Sequence, residues 1–225
     1  MIAAATGAAA VAISVSPVHV RLTPGAIREI VIRNGGAAAA AVDARLAGFV
    51  LDRRGKPVVA REAAAAGWLR VRPRRVVLAP GRAAALTVSS VVPVAAVPGD
   101  HPALVLLTMQ PRTAAGVAIR MRVGVVVFVR IPGRVVHRLE LGGLRVRRGE
   151  LDATLANRGN VVEHARVSIS LWHLGRLVAR LGPVGRTLLP HSRGVERFHY
   201  RGRLRGFLTA RVEAGALRRT FRIQV

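Results

Sequence analysis

The sequence predicts an all-β chain folded as two tandem immunoglobulin-like β-sandwiches. Three observations carry that expectation: apolar residues that alternate with period two, Pro-Gly turns that recur between such runs, and an order of turns that occurs twice. The clearest alternation runs from Ile119 to Ile131. Ile119, Met121, Val123, Val125, Val127, Val129 and Ile131 occupy one side, and Arg120, Arg122, Gly124, Val126, Phe128 and Arg130 the other. A strand places such a set on one face, whereas a helix scatters it and leaves no apolar stripe.

From the N-terminus, residues 2–13 form a small apolar run ending in Ala10-Val11-Ala12, an Ala-x-Ala pattern of the kind that closes a secretory signal, although no basic stretch precedes it. Export is therefore expected, with 1–13 as a leader. Further strands are expected at 18–22, 27–33, 41–49, 86–92 and 103–109. In the second half they are expected at 144–146, 151–156, 165–172, 195–200, 207–213 and 220–225. A single short alanine-rich helix is expected over 60–68. Leu22-Thr23-Pro24-Gly25 and Leu78-Ala79-Pro80-Gly81 are type II turn signals, because proline presets φ at the first central position and glycine takes the positive φ at the second. Leu189-Pro190-His191-Ser192 reads as a degenerate third copy. Asn34-Gly35-Gly36 and Asn157-Arg158-Gly159-Asn160 each close a strand, so the order strand, Asn-Gly turn, Leu-Pro turn, strand occurs twice. Two modules follow, 14–133 and 134–225, joined at Ile131-Pro132-Gly133.

Composition narrows the function classes. The 225 residues hold 51% hydrophobic residues, enough for two packed cores. Arginine and lysine total 36 against 11 acidic residues, for a net charge of +25. The excess lies on both sides of Gly133, so it belongs to both modules, and it attracts polyanions without choosing among them. No cysteine is present, which removes disulfides and thiolate chemistry. No segment reaches the roughly 18 uninterrupted apolar residues of a membrane span.

Catalytic and cofactor patterns are missing. The seven histidines (His19, His101, His137, His164, His173, His191, His199) are scattered, no Gly-x-Ser-x-Gly elbow accompanies a serine, and neither nucleotide-binding glycine fingerprint occurs. Glu163-His164 reads as an exposed turn rather than a metal site. Eight aromatic residues are too few for the stacking platform of a single-strand nucleic-acid binder, so no specific nucleic acid is expected. The expectation is therefore no enzyme, no cofactor and no metal. The candidate polyanion-binding residues are two arginine clusters: Arg70, Arg72, Arg74 and Arg75 beside Trp68, and Arg197, Arg201, Arg203 and Arg205 beside Phe198, His199 and Tyr200. Alternation puts Arg70, Arg72 and Arg74 on one face, which also reads as a charged, guarded sheet edge.

The segments "SVSPVHVRLTPGAIREIVIRNGG", "GWLRVRPRRVVLAPGRAAALTVSSVVP", "PGDHPALVLLTMQP" and "VAIRMRVGVVVFVRIPG" together resemble the N-terminal domain of the PapD-like pilus chaperones. "RVGVVVFVRIPG" and "ATLANRGNVVEHARVSISLW" are more similar to Gram-positive cell-surface proteins that interact with WxL proteins. The resemblance runs from about Ser14 to Val225. It implies an exported protein at the cell surface or wall that contacts peptidoglycan or other surface proteins. The closer group usually ends in a membrane anchor and basic tail, which this sequence does not show. Pilus chaperones hold a subunit's C-terminal carboxylate with paired basic residues, and those cannot be placed here among so many arginines. The function expected is a non-enzymatic cell-envelope structural or adhesion module that binds a surface protein or an anionic wall polymer. The alternative is an extracytoplasmic chaperone that caps an exported subunit by strand addition. For either, the strands at 103–109 and 119–131 are the edges to examine.

Overall fold

The computed structural model describes residues 12–60, 64–110, 120–147, 149–200 and 206–225. Most of the expected leader, and Ile119 at the start of the long alternating run, lie outside them. Two compact units emerge. The first is built from residues up to Phe49, Val59–Val97 and His101–Pro132; the second from Gly133–Val225 together with Val50–Val58 and Pro98–Asp100.

In the first unit, β1 (Ile13–Ser16), β3 (Ile27–Asn34), β8 (Ala83–Ser90) and β6 (Leu69–Arg72) form one sheet in the order β1-β3-β8-β6. The facing sheet has the order β2-β10-β9-β4-β5, from β2 (His19–Leu22), β10 (Met121–Ile131), β9 (Gly99–Gln110), β4 (Ala40–Leu51) and β5 (Pro57–Ala60); β7 (Arg75–Leu78) also pairs with β4. The helix α1 (Ala64–Trp68) is shorter than the expected one, of which 61–63 lie outside the described residues. In the second unit, β11 (Leu139–Arg147), β12 (Glu150–Asn157) and β15 (Arg193–His199) form a three-stranded sheet. Its partner sheet is β14-β13-β16-β17, from β14 (Arg176–Leu188), β13 (Glu163–His173), β16 (Phe207–Ala214) and β17 (Leu217–Gln224). These are two immunoglobulin-like sandwiches in tandem.

Period two builds both cores. Ile30 and Ile32, Leu86 and Val88, and Val125, Val127 and Val129 point inward from their strands and are fully buried. Leu151 and Leu155 of β12, Val167, Ile169 and Leu171 of β13 and Val212 of β16 do the same in the second unit. Each such side chain contributes about 1.5–3 kcal/mol on leaving water.

The turns form as their residues dictate. Ala26 N donates to Thr23 O at 3.0 Å around Gly25, φ +75°, and Arg82 N donates to Ala79 O at 3.1 Å around Gly81, φ +73°. In the degenerate copy, Ser192 N donates to Leu189 O at 3.3 Å and His191 itself takes φ +55°.

The asparagine at the end of each repeat is wholly buried. Asn34 Nδ2 donates to Ala38 O at 2.8 Å and to Leu78 O at 3.0 Å, while its Oδ1 accepts from Gly36 N at 3.0 Å. Asn157 Nδ2 donates to Val161 O at 2.7 Å and to Leu189 O at 3.1 Å, while its Oδ1 accepts from Gly159 N at 2.9 Å. In both units one amide joins the strand-end loop to the carbonyl that leads into the Pro turn.

β14 is not among the expected strands, and it contains Gly182, Pro183 and Gly185. The strand is an edge strand, where a missing N–H is tolerated, and a register shift opposite Val167 and Ile169 absorbs the irregularity. β1, β5 and β7 are four residues each, too short to show a period. Glu163 and His164 begin β13 and are not in a turn as expected, because Glu163 pairs with Leu188 in the β13–β14 ladder.

Replacing Asn34 or Asn157 by Asp removes the donors and buries a carboxylate among carbonyls. Each substitution is expected to lower the stability of its own unit by about 2–3 kcal/mol, read as a shifted urea midpoint for one of two transitions. At the β13–β14 hairpin, Leu174 is exposed at φ +47° ahead of Gly175 at φ +78°. Leu174→Asn restores the Asn-Gly pair such a turn favours and is expected to raise the second unit's stability by about 0.5–1 kcal/mol in the same experiment.

Candidate functional site

The N-terminal stretch serves both sheets of the first sandwich. β1 pairs antiparallel with β3, Ile13 opposite Asn34 and Ser16 opposite Val31. Past Pro17, which has no N–H to give a ladder, the chain changes sheets. β2 then pairs in parallel with β10, His19 opposite Val126 through Leu22 opposite Val129. The residues that would continue β2 backward along β10 have already been taken by β3. The leading part of β10, Met121–Val125, therefore has no strand paired on its β2 side among the described residues.

Backbone direction alternates along a strand, so the orientation of this edge follows from one bond. Val126 N donates to Val18 O at 2.9 Å, which places the Val126 N–H on the β2 side. Gly124 and Arg122, two and four residues earlier, turn their N–H and C=O toward that same open side. Side chains alternate as well: Val125 is buried, Val123 is half-buried against the core and Met121 is exposed. The edge thus offers unpaired donors and acceptors beside a short apolar row.

The two arginine clusters separate in the structure. Arg70 and Arg72 lie exposed on β6, while Val71 between them is buried. Arg70 Nη1 donates to Gly67 O at 2.9 Å. At Pro73 the chain leaves that sheet, and Arg75 belongs to β7 in the facing sheet, where its Nε lies 3.8 Å from Asp43 Oδ1. Arg74 sits between the two strands, its carbonyl accepting from Ala44 N at 2.7 Å. The expected single face therefore does not form, because the alternation is interrupted at a change of sheet. Of the second cluster, Arg201, Arg203 and Arg205 lie outside the described residues. Phe198 is in the second core, Tyr200 is packed against it, and His199 is exposed between them.

Arg197 is held by carboxylates. It stands opposite Asp152 in the β12–β15 register, and its Nε and Nη2 donate to Asp152 Oδ1 at 2.8 Å and Oδ2 at 3.0 Å; its Nη1 lies 3.0 Å from Glu150 Oε2. The Arg197 hydrogen bond holds the buried Asp152 carboxyl below its ordinary range. Burial opposes this, and the charges of Arg197, Arg147 and Arg145 add to it. A second buried pair sits nearby. Arg186 Nη2 donates to Arg53 O at 2.6 Å and its Nη1 lies 3.6 Å from Glu196 Oε2. Burial lowers the Arg186 pKa and raises that of Glu196, each opposed by the other's charge. Nothing in the local sequence signals Arg186, because its partners lie far away along the chain.

Comparison with protein-family models finds no match, and comparison with curated proteins finds none either. Solved structures do match over nearly the whole chain. The YadV chaperone shares 12% identity, with 94% of this chain and 99% of that one covered, at a TM-score of 0.57. The chain shares the two-sandwich fold of that chaperone. A chain from the CsuC–CsuE chaperone–tip adhesion subunit pre-assembly complex of the Acinetobacter baumannii Csu pili is 15% identical, with 94% and 98% covered and a TM-score of 0.54. The periplasmic chaperone SfaE is 13% identical, with 95% and 100% covered and a TM-score of 0.52.

A folded-state carboxyl with a lowered pKa stabilises fully above the unfolded value of about 3.9, and that stabilisation fades as pH falls through the folded value. Asp152→Asn is therefore expected to cost the second unit about 2 kcal/mol at pH 7. The gap to wild type should narrow below about pH 4, as checked by urea midpoints at stepped pH.

Proposed function

We propose that this chain is an exported, non-enzymatic chaperone-like protein that caps a polypeptide subunit through the open leading half of β10. The observation that carries the reading is the sheet change at Pro17, which leaves the Arg122 and Gly124 backbone groups, among the described residues, without a strand on their β2 side beside Met121 and Val123. A partner strand laid against this edge gains main-chain hydrogen bonds at every second residue and rests its apolar side chains near that row. The partner is then a protein segment with an incomplete sheet of its own. The full-length likeness to chaperones, one of them from a chaperone–subunit complex and one periplasmic, supports this reading and an extracytoplasmic location. It favours the capping alternative over the adhesion module that binds an anionic wall polymer, for which the net charge is the main support. The domain division near Gly133 and the absence of a specific nucleic-acid partner belong to the same proposal.

Gly124→Pro removes one edge-facing N–H and leaves the β9 side of the strand its own donors. Tagged wild-type protein, incubated with an envelope extract, is expected to retain one subunit at one-to-one stoichiometry. Gly124→Pro, shown by its melting temperature to be folded, is expected to lose that subunit. Equal recovery by both proteins, or recovery of wall polymer in place of a polypeptide, overturns the reading.

A further inference from the structure

The outer face of the β11-β12-β15 sheet in the second unit carries an open cleft of about 320 Å³, lined by Arg53, Arg54, Arg145, Arg147, Arg193 and Arg197. The sheet register explains the convergence. Arg145 stands opposite Asp152, and Asp152 opposite Arg197, so one row across three strands reads Arg-Asp-Arg. Arg147 and Arg193 lie two and four residues along β11 and β15 from that row and so share its face.

Charge on this face is far from balanced. The one carboxylate lining the cleft among the described residues, Asp152, is already bound in a fork by Arg197 and lies 3.8 Å from Arg147 Nε. Arg53, Arg54 and Arg193 have no carboxylate at ion-pair distance among the described residues. Guanidinium groups gathered in one cleft repel one another, and a ligand that brings several negative charges reverses that energy.

The cleft is also built rather than accidental. Arg53 and Arg54 are exposed at a tight turn, where Asp52 Oδ1 accepts from Arg54 N and Lys56 N, each at 2.8 Å. That turn is fixed to the sheet from two sides: Val195 N donates to Arg53 O at 2.7 Å, and the buried Arg186 donates to the same oxygen. A side-chain carbon placed at Gly194 would press on the Arg186 guanidinium, which lies close over that position. A buried cation that spans the turn and β15 thus presets the position of two exposed ones.

We propose that this cleft binds a ligand bearing two or more phosphate groups. Arginine forks match phosphate oxygens in pairs, and several forks around an elongated opening match several phosphates. Among the described residues no aromatic ring lines the cleft to stack a base, which favours a phosphate polymer or headgroup over nucleic acid. The site lies in the second unit and is independent of the β10 edge, so either proposal can fail without the other.

The test is calorimetric titration of the full chain with inorganic tripolyphosphate at about 0.15 M salt, where diffuse attraction is screened. Two double variants of equal net charge are compared: Arg145→Gln/Arg193→Gln in the cleft and Arg70→Gln/Arg72→Gln on β6. All four residues are exposed, and Arg54→Gln, in the turn, gives a further readout outside any ladder. One-site binding that weakens about tenfold or more in the cleft variant, but less than about twofold in the β6 variant, supports the site. Equal weakening in both, or many weak sites on wild type, overturns it as diffuse adsorption. Vesicles containing cardiolipin, whose headgroup carries two phosphates, distinguish the source. Vesicle binding lost in the cleft variant and displaced by tripolyphosphate assigns a lipid headgroup, and tripolyphosphate binding without vesicle binding assigns a soluble phosphate polymer. A mixed-sequence oligonucleotide that binds wild type and cleft variant alike, and displaces tripolyphosphate from both, overturns the proposal.

Discussion

A carbonyl carried into an apolar core must find a donor there, and in both sandwiches the donor is an asparagine amide. Asn34 and Asn157 stand at the ends of equivalent strands, each with no exposed surface, and each joins its own loop to the carbonyls that lead into a Pro turn. Backbone bonds reinforce the join: Gly81 N donates to Asn34 O at 2.8 Å, and Asn157 N donates to Ser192 O at 2.9 Å. The placement of β3 against β8 and of β12 against β15 depends on this arrangement, since the Pro turns lie just before β8 and β15 in sequence. A side chain with two donors and one acceptor at that point satisfies groups that water cannot reach, which explains why the same residue type recurs at both places.

Much of the fold was legible because its signals are local. The alternation in β10, the glycines of the two Pro-Gly turns and the repeated asparagines each declare their role within a few residues. Even the weak third copy was readable, since Pro190 fixes the turn although His191 must adopt the conformation that glycine takes elsewhere. What escaped depends on neighbours. β14 is a strand because β13 supplies a full ladder to pair with, and its Gly182-Pro183 is tolerated because no described strand pairs on its other side.

The candidate sites show the same division. Reading Arg70, Arg72, Arg74 and Arg75 as one stripe assumes that alternation continues through Pro73, whereas the chain changes sheets there. The cleft arginines, in contrast, come from three stretches far apart in sequence, 53–54, 145–147 and 193–197, united by the register of three strands and by the bonds that fix the 53–54 turn to them. Arg197 was noticed for its charge, yet its geometry ties it to Asp152 and Glu150, and the less conspicuous Arg193 is left, with Arg53 and Arg54, without a carboxylate among the described residues. The strand 119–131 was singled out as an edge from its sequence, but which part of it stays open was not legible, because that follows from the competing claim of β3 on the N-terminal residues.

The parallel pairing of β2 with β10 has a kinetic consequence. His19 and Val126 are neighbours in the sheet but lie roughly 100 residues apart along the chain. Closing so long a loop early costs entropy that few contacts repay, so β2 is a late addition to a sandwich whose hairpins form first. A chain emerging N-terminus first must therefore keep β2 waiting until Ile131 has appeared. Between the appearance of β10 and the docking of β2, the Val126–Val129 edge is open, so the first sandwich has an interval in which its own N-terminus and any foreign strand compete for that seat.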